Sequence, residues 1–165
     1  MGAVVINDKN EILCVRELRN AYSKWKLPGG LADLGEEIFT CAEREVMEET
    51  GVEAEGQSLI SLRHTHNLQF GRSDLYVIAR LKPKPNQTKL VAQEGEIAAC
   101  AWVPVEEYTA MVQPNGESPH PMMKEIMDVV AADNDVIRKI VPSIVPGRRP
   151  NPIYIPQKGK KSKII

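Results

Sequence analysis

This chain is poor in cysteine and has no long apolar run. Its three cysteines, Cys14, Cys41 and Cys100, are odd in number and widely spaced. They form neither a disulfide framework nor a zinc-ligand pattern. Each sits among apolar residues and is expected to act as a small core hydrophobe, in keeping with a reducing compartment. No uninterrupted apolar stretch is long enough to span a bilayer, which argues against a transmembrane helix. The start, Met1-Gly2-Ala3-Val4-Val5-Ile6-Asn7-Asp8, lacks the basic flank and long apolar core of a secretory signal. Gly2 follows Met1, but Asn7 and Asp8 stand where a myristoylation motif needs an early Ser or Thr, so lipidation is discounted. An intracellular, cytoplasmic protein is expected. No internal repeat is found.

Acidic residues are missing from one part of the chain. Residues 138–165 hold eight Lys or Arg and no Asp or Glu, so the net charge of −1 divides into a body of −9 over 1–137 and a basic tail. An acidic body suits a metal-binding enzyme and argues against a nucleic-acid-binding body. The tail is punctuated by Pro142, Pro146, Pro150, Pro152 and Pro156, which exclude a long helix. The expected organisation is one domain over 1–137 and a basic, proline-rich, extended tail over 138–165.

What the chain does have is acid at one place. Glu45, Glu48 and Glu49 fall at i, i+3 and i+4, so a helix would carry them on one face. Carboxylates so close repel one another unless a positive charge lies between them, and hard divalent cations such as magnesium prefer oxygen ligands. The turn Pro28-Gly29-Gly30 precedes them and Gly51 ends the segment. A helix is expected from about Glu36 to Thr50, with Ile38, Phe39, Cys41, Ala42 and Val46 on its apolar side, Asp33 as its cap and Gly51 at C′. Arg44 and Glu48 alone would read as an ordinary i, i+4 pair on a solvated helix. The spacings from Gly30 and Glu36 decide otherwise.

Those residues, Gly30-(five)-Glu36-(seven)-Arg44-Glu45-Val46-Met47-Glu48-Glu49-Thr50-Gly51-Val52, resemble the signature of the Nudix hydrolases at all nine specified positions. Average residue usage makes that match a chance event of roughly one in ten million. The resemblance implies a Nudix fold of the α/β (α+β) class, a mixed sheet between helices with a loop–helix–loop metal site. It implies that Glu48 and Glu49 bind Mg2+ or Mn2+, and that Glu45 binds metal or acts as a base. Arg44 would orient the carboxylates, Glu36 would support them, and a backbone carbonyl, that of Gly29, would be a further ligand. Gly30 and Gly51 would be structural. Nudix enzymes often place a further acidic ligand or base on a late loop; here Glu96 fits, with Glu94 in reserve.

Outside that segment, residues 3–7 and 11–16 read as a hairpin around Asp8-Lys9-Asn10. Residues 57–66 and 73–81 read as strands joined by a loop with Asn67, Gln69 and Gly71. Ile97–Val103 reads as a strand, with helices over 106–112 and 122–132. His64 and His66 flank Thr65 on a strand and so share a face. With Phe70, Arg72 and Asp74 they are the candidate substrate contacts. No cysteine or third histidine lies nearby in sequence, which weakens a zinc reading.

The segments Trp25–Leu31, Leu62–His66, Phe70–Tyr76 and Arg80–Pro83 narrow the resemblance to one branch. It holds the vertebrate Nudix protein encoded antisense to basic fibroblast growth factor and the plant ADP-ribose/NADH pyrophosphatases. Its members usually carry an additional N-terminal domain, whereas this chain opens in the first Nudix strand. The implied activity is metal-dependent hydrolysis of a nucleoside diphosphate linked to another group, ADP-ribose or NADH first, by a protein able to form a homodimer. The rivals are an oxidised-nucleotide or coenzyme A hydrolase, a non-catalytic nucleotide sensor, and an RNA-cap hydrolase whose basic tail holds RNA.

Overall fold

The computed structural model describes residues 1–18, 24–66, 69–86, 89–117, 120–132, 136–141 and 151–156. Strands β1 (Gly2–Val5) and β2 (Glu11–Glu17) come first, followed by helix α1 (Ile38–Thr50). Then come β3 (Ala54–Thr65), β4 (Asp74–Pro83) and β5 (Ile97–Pro104). Helices α2 (Val105–Val112) and α3 (Pro121–Ala132) precede β6 (Val136–Val141) and β7 (Asn151–Pro156).

The strands form a five-stranded sheet in the order β1-β4-β3-β6-β7 and a two-stranded sheet β2-β5. The larger sheet is mixed, because β1 runs parallel to β4 while the other neighbours are antiparallel. Alternation along β4 sorts the core. Val77, Ala79 and Leu81 pack with Phe39, Ala42 and Val46 of α1. Ile78 packs with Tyr108 of α2 and Ile126 and Met127 of α3. The sheet is thus covered on both faces, in line with the mixed sheet between helices that the resemblance implies. Strand β2 divides its side chains likewise, Leu13 to the α1 side and Ile12 and Cys14 to the other. All three cysteines are free thiols; Cys14 and Cys41 are buried as expected of core hydrophobes, whereas Cys100 is half-buried and joins neither core cluster.

The first expectation to fail is the hairpin. Strands β1 and β2 touch at a single bridge, Ile6 to Ile12, and then part into different sheets. The turn between them forms as read: Asn7 Oδ1 accepts from the backbone of Lys9 and Glu11 at 2.9 and 3.0 Å. What overrides the local pairing is burial. Ala3, Val4 and Val5 are wholly covered. Although β1 ends the sheet, Ala3 and Val5 join the cluster on the α1 side and Val4 the cluster on the other side. That needs a strand covered on both faces rather than one arm of an open hairpin. The second difference is the start of α1. It begins at Ile38, and Glu37 is the N-cap without a side-chain capping bond. Asp33 does not cap it. Instead Glu36 Oε2 accepts the Asp33 N–H at 2.9 Å, so Glu36 is tied to the preceding loop.

The tail contributes β6 and β7, which are extended. Strand β6 crosses the 137/138 boundary and pairs with β3 at Ser58 and Leu59, while β7 pairs with β6. The lysine cluster beyond residue 157, and Asn67, lie outside the described residues. Among the described residues no helix is long and apolar enough to cross a membrane.

Candidate metal and nucleotide site

The Gly29–Gly30 turn meets the face of α1 that carries the glutamates. Gly29 has φ of +150°, and a β-carbon there would lie 2.2 Å from the Met1 carbonyl oxygen. A β-carbon on Gly30 would lie 2.5 Å from Glu45 Oε2. The turn therefore needs two residues without side chains, and their absence lets the Glu45 carboxylate rest on the backbone. One residue earlier, the Gly29 N–H donates to Glu49 Oε2 at 2.9 Å. Two carboxylates thus converge on two adjacent residues. The Pro28 carbonyl accepts from Ala3 N, which fixes the turn to β1, and the Gly30 carbonyl accepts from the Met1 ammonium at 2.6 Å.

Arg44 organises the remaining acids. Its Nε and Nη2 donate to the two Glu36 oxygens at 2.9 and 3.0 Å, a fork that only a planar guanidinium provides. Nη1 reaches Glu45 and Glu48 at 3.0 and 3.1 Å, and Nη2 also reaches the Leu31 carbonyl. The fork and the Asp33 N–H hold the Glu36 carboxyl down at about 2, and Glu36 in turn holds Arg44 well above its ordinary range. Glu49 behaves in the opposite way. It is only 4% exposed, and burial pushes its carboxyl up to about 7, with the charges of Glu45 and Glu96 adding to the rise and the Gly29 N–H opposing it.

Glu96 belongs to this group although it is distant in sequence. It closes the turn before β5, and the loop ahead of it is strapped to the end of α1. Val91 N donates to the Thr50 carbonyl at 2.8 Å and Gln93 N to that of Glu49 at 3.4 Å. Gly51 ends the helix at φ of +71° with its N–H on the Met47 carbonyl. Glu94 lies on the same turn.

The donors fit a hard divalent ion. They are carboxylates and backbone carbonyls, with no thiolate or imidazole among them. The buried Glu49 feels the charges of Glu45 and Glu96, with the Lys26 cation acting against them. Among the described residues no three His, Cys, Asp or Glu side chains are drawn together into a closed cage. Glu45 and Glu48 each give one oxygen to Arg44, which leaves the second oxygen of each carboxylate for an ion.

A cleft of about 460 Å³ opens beside the turn, lined among others by Trp25, Gly30, Arg63, Asp74, Tyr76 and His120. Of the expected substrate contacts the structure brings only Asp74 to it. His64 and His66 do share a face, with ring centroids 4.1 Å apart, and His66 Nδ1 lies 2.8 Å from Ser73 Oγ. That face is the other one. Arg63 stands opposite Tyr76 and Thr65 opposite Asp74, whereas His64 stands opposite Leu75. Phe70 is 91% exposed on the connecting turn, and neither it nor Arg72 lines the cleft. Arg63 was missed. Its guanidinium lies 5.1 Å from the Tyr76 ring centroid and 3.5 Å from Asp74. Alternation puts Arg63 on the side opposite to His64, and the packing of Ile78 with α2 and α3 makes that side, with Tyr76, the side of the cleft. His120 sits in a loop with no pattern to reveal it.

The family described as NUDIX domain matches residues 1–126. The chain belongs to the Nudix family. It is 44% identical over 108 residues to Nucleoside diphosphate-linked moiety X motif 6 of Xenopus laevis, covering 64% of this chain and 49% of the relative. It is 38% identical over 135 residues to Nudix hydrolase 8 of Arabidopsis thaliana, covering 80% of this chain and 35% of the relative. The chain thus spans half or less of the length of these relatives. Among solved structures, a NUDIX hydrolase from Nitrosomonas europaea superposes with a TM-score of 0.60 at 24% identity, covering 80% of this chain and 86% of the other. The MutT protein of Methanosarcina mazei gives 0.61 at 21% identity, covering 80% and 91%. At such identity they show the Nudix fold. Nudix hydrolases as a family use divalent metal ions.

Proposed function

We propose that this chain hydrolyses the diphosphate of a nucleoside diphosphate linked to a second group, with ADP-ribose or NADH as the preferred substrates. The observation that carries the reading is the convergence of Glu45 and Glu49 on the Gly29–Gly30 turn, beside an open cleft. The Glu45, Glu48 and Glu49 carboxylates and the Gly29 carbonyl would hold Mg2+ or Mn2+, with Glu96 reaching in from its loop. Such an ion, when bound, offsets the diphosphate charge and acidifies a water.

The residues do the rest. Arg44 keeps the carboxylates apart and aligned, and its fork on Glu36 anchors it to the loop. Glu45 or Glu96 accepts the proton as the water oxygen bonds to phosphorus. The bond from phosphorus to the bridging oxygen breaks, leaving two phosphorylated halves. Trp25, Arg63, Asp74 and Tyr76 are placed to meet the group beyond the diphosphate, by stacking and charge. His64, His66, Phe70 and Arg72 lie off this path. The catalytic unit is read as 1–137 and the tail as an extension, in an intracellular protein that acts on small nucleotides.

The test is a hydrolysis screen with Mg2+ and with Mn2+ over ADP-ribose, NADH, coenzyme A, diadenosine polyphosphates, capped RNA and nucleoside triphosphates. Glu48→Gln, at a position 48% exposed, should fold normally and lose most turnover. Near wild-type turnover in that variant would remove Glu48 from the metal set. Highest kcat/KM for an oxidised nucleoside triphosphate would overturn the substrate assignment.

A further inference from the structure

A second cavity lies next to the cleft, beyond Trp25. It is small, about 240 Å³, and its charged lining residues are Arg16, Lys24 and Glu117. Trp25, Tyr108 and Val112 line both cavities, so the two adjoin. Arg16 leaves β2 opposite Ala99 and lays its guanidinium 4.7 Å from the Trp25 ring centroid. Its Nε is the one buried side-chain nitrogen or oxygen among the described residues that has no hydrogen-bond partner. A buried donor without an acceptor is unfavourable and rare in folded proteins. The neighbouring cation Lys26 is ion-paired with Glu17. Among the described residues neither Arg16 nor Lys24 has such a pairing, and Glu117 is the single acid against two cations. Stacking on an indole fixes the guanidinium plane and leaves its in-plane donors to an anion.

We propose that this cavity is an anion subsite, in which Arg16 and Lys24 take a phosphate monoester that the substrate carries beyond its scissile diphosphate. The inference rests on the hydrolase reading for the position of the diphosphate, at the Gly29–Gly30 turn. The substrate then runs from that turn past Trp25 and Tyr108, and its far phosphate meets the Arg16 fork. The subsite refines the substrate choice proposed above: of two conjugates alike in the diphosphate and its outer groups, the one with a third, isolated phosphate is preferred.

Two substrate pairs differ by that phosphate alone, NADPH against NADH and coenzyme A against its dephospho form. The full chain and its Arg16→Gln and Lys24→Gln variants would be compared by kcat/KM with Mg2+, and by equilibrium binding in EDTA, where turnover stops. The wild type should favour the phosphorylated member of at least one pair by about tenfold or more. Arg16→Gln should bring that ratio close to one, Lys24→Gln should lower it, and Arg16→Lys should keep part of it because charge remains without the fork. Lys24 is exposed, so its variant serves if Arg16→Gln melts early. Equal treatment of both members of both pairs overturns the proposal, as does a preference that survives both Gln variants. A binding preference that needs Arg16, in a protein that hydrolyses none of the four compounds, supports the subsite and removes the hydrolase reading.

Discussion

Glu49→Gln should stabilise this protein in the absence of metal and deprive it of stabilisation in its presence. Glu49 is buried, and its carboxyl is pushed from 4.5 up to about 7. Between those two values the folded state keeps a proton that the unfolded chain has released. Stability therefore falls as pH rises through that window and levels off above it. At about 1.4 kcal/mol for each pH unit of displacement, the ionised carboxylate costs the metal-free fold roughly 3 kcal/mol. Glutamine has nearly the same volume, can accept the Gly29 N–H through its amide oxygen, and does not ionise. In a chain of this size roughly 2–4 °C of Tm accompanies each kcal/mol. Thermal melts in EDTA should thus show wild type and variant drawing apart from pH 5 to pH 8, with the variant higher by about 6–12 °C at the upper end. Glu36 does not confuse the window, since its carboxyl sits near 2 and stays ionised throughout. Adding Mg2+ or Mn2+ at pH 8 should raise the wild type more than the variant, because an ion favours the carboxylate that burial disfavours. A difference between the two proteins that does not change with pH would refute the reasoning, as would equal gains on adding metal.

Three further outcomes follow from the geometry. Arg44→Lys loses the fork on Glu36 and its simultaneous hold on Glu45, Glu48 and Leu31; metal titration and turnover should show a loss of roughly 10–100-fold, and wild-type affinity would show that the charge alone suffices. Gly30→Ala puts a β-carbon 2.5 Å from Glu45 Oε2, and displacing that carboxylate by about 1 Å should lower kcat by roughly 10²-fold; unchanged kcat would place Glu45 outside the reacting group. Deleting 151–165 removes β7, the edge strand that pairs with β6 alone among the described residues. Melts and turnover of a small nucleotide should change little, and loss of folding would show that the tail holds the sheet together.

Much of the site was legible in the sequence because it is local. Glu45, Glu48 and Glu49 share a face through helix periodicity alone, Gly51 ends that helix because it accepts a positive φ, and the i, i+4 contact from Arg44 to Glu48 forms as the spacing predicts. The face shared by His64 and His66 was readable for the same reason. What was not legible depends on which surfaces meet. Asn7 and its neighbours make the expected turn, yet only burial of Ala3–Val5 between two layers decides that β1 leaves β2 for β4. Alternation could say that His64 and Arg63 point in opposite directions, but not which direction faces the cleft. That was decided by the packing of Ile78 with α2 and α3. The distant Glu96 joins Glu49 because the 91–93 backbone binds the end of α1, and Arg16 meets Trp25 because β2 pairs at Val15 with Lys26. Short-range spacing is set by bond geometry and can be counted along the chain. The partners of a sheet face or a loop are set by burial of apolar area, which exists only once the whole chain has packed.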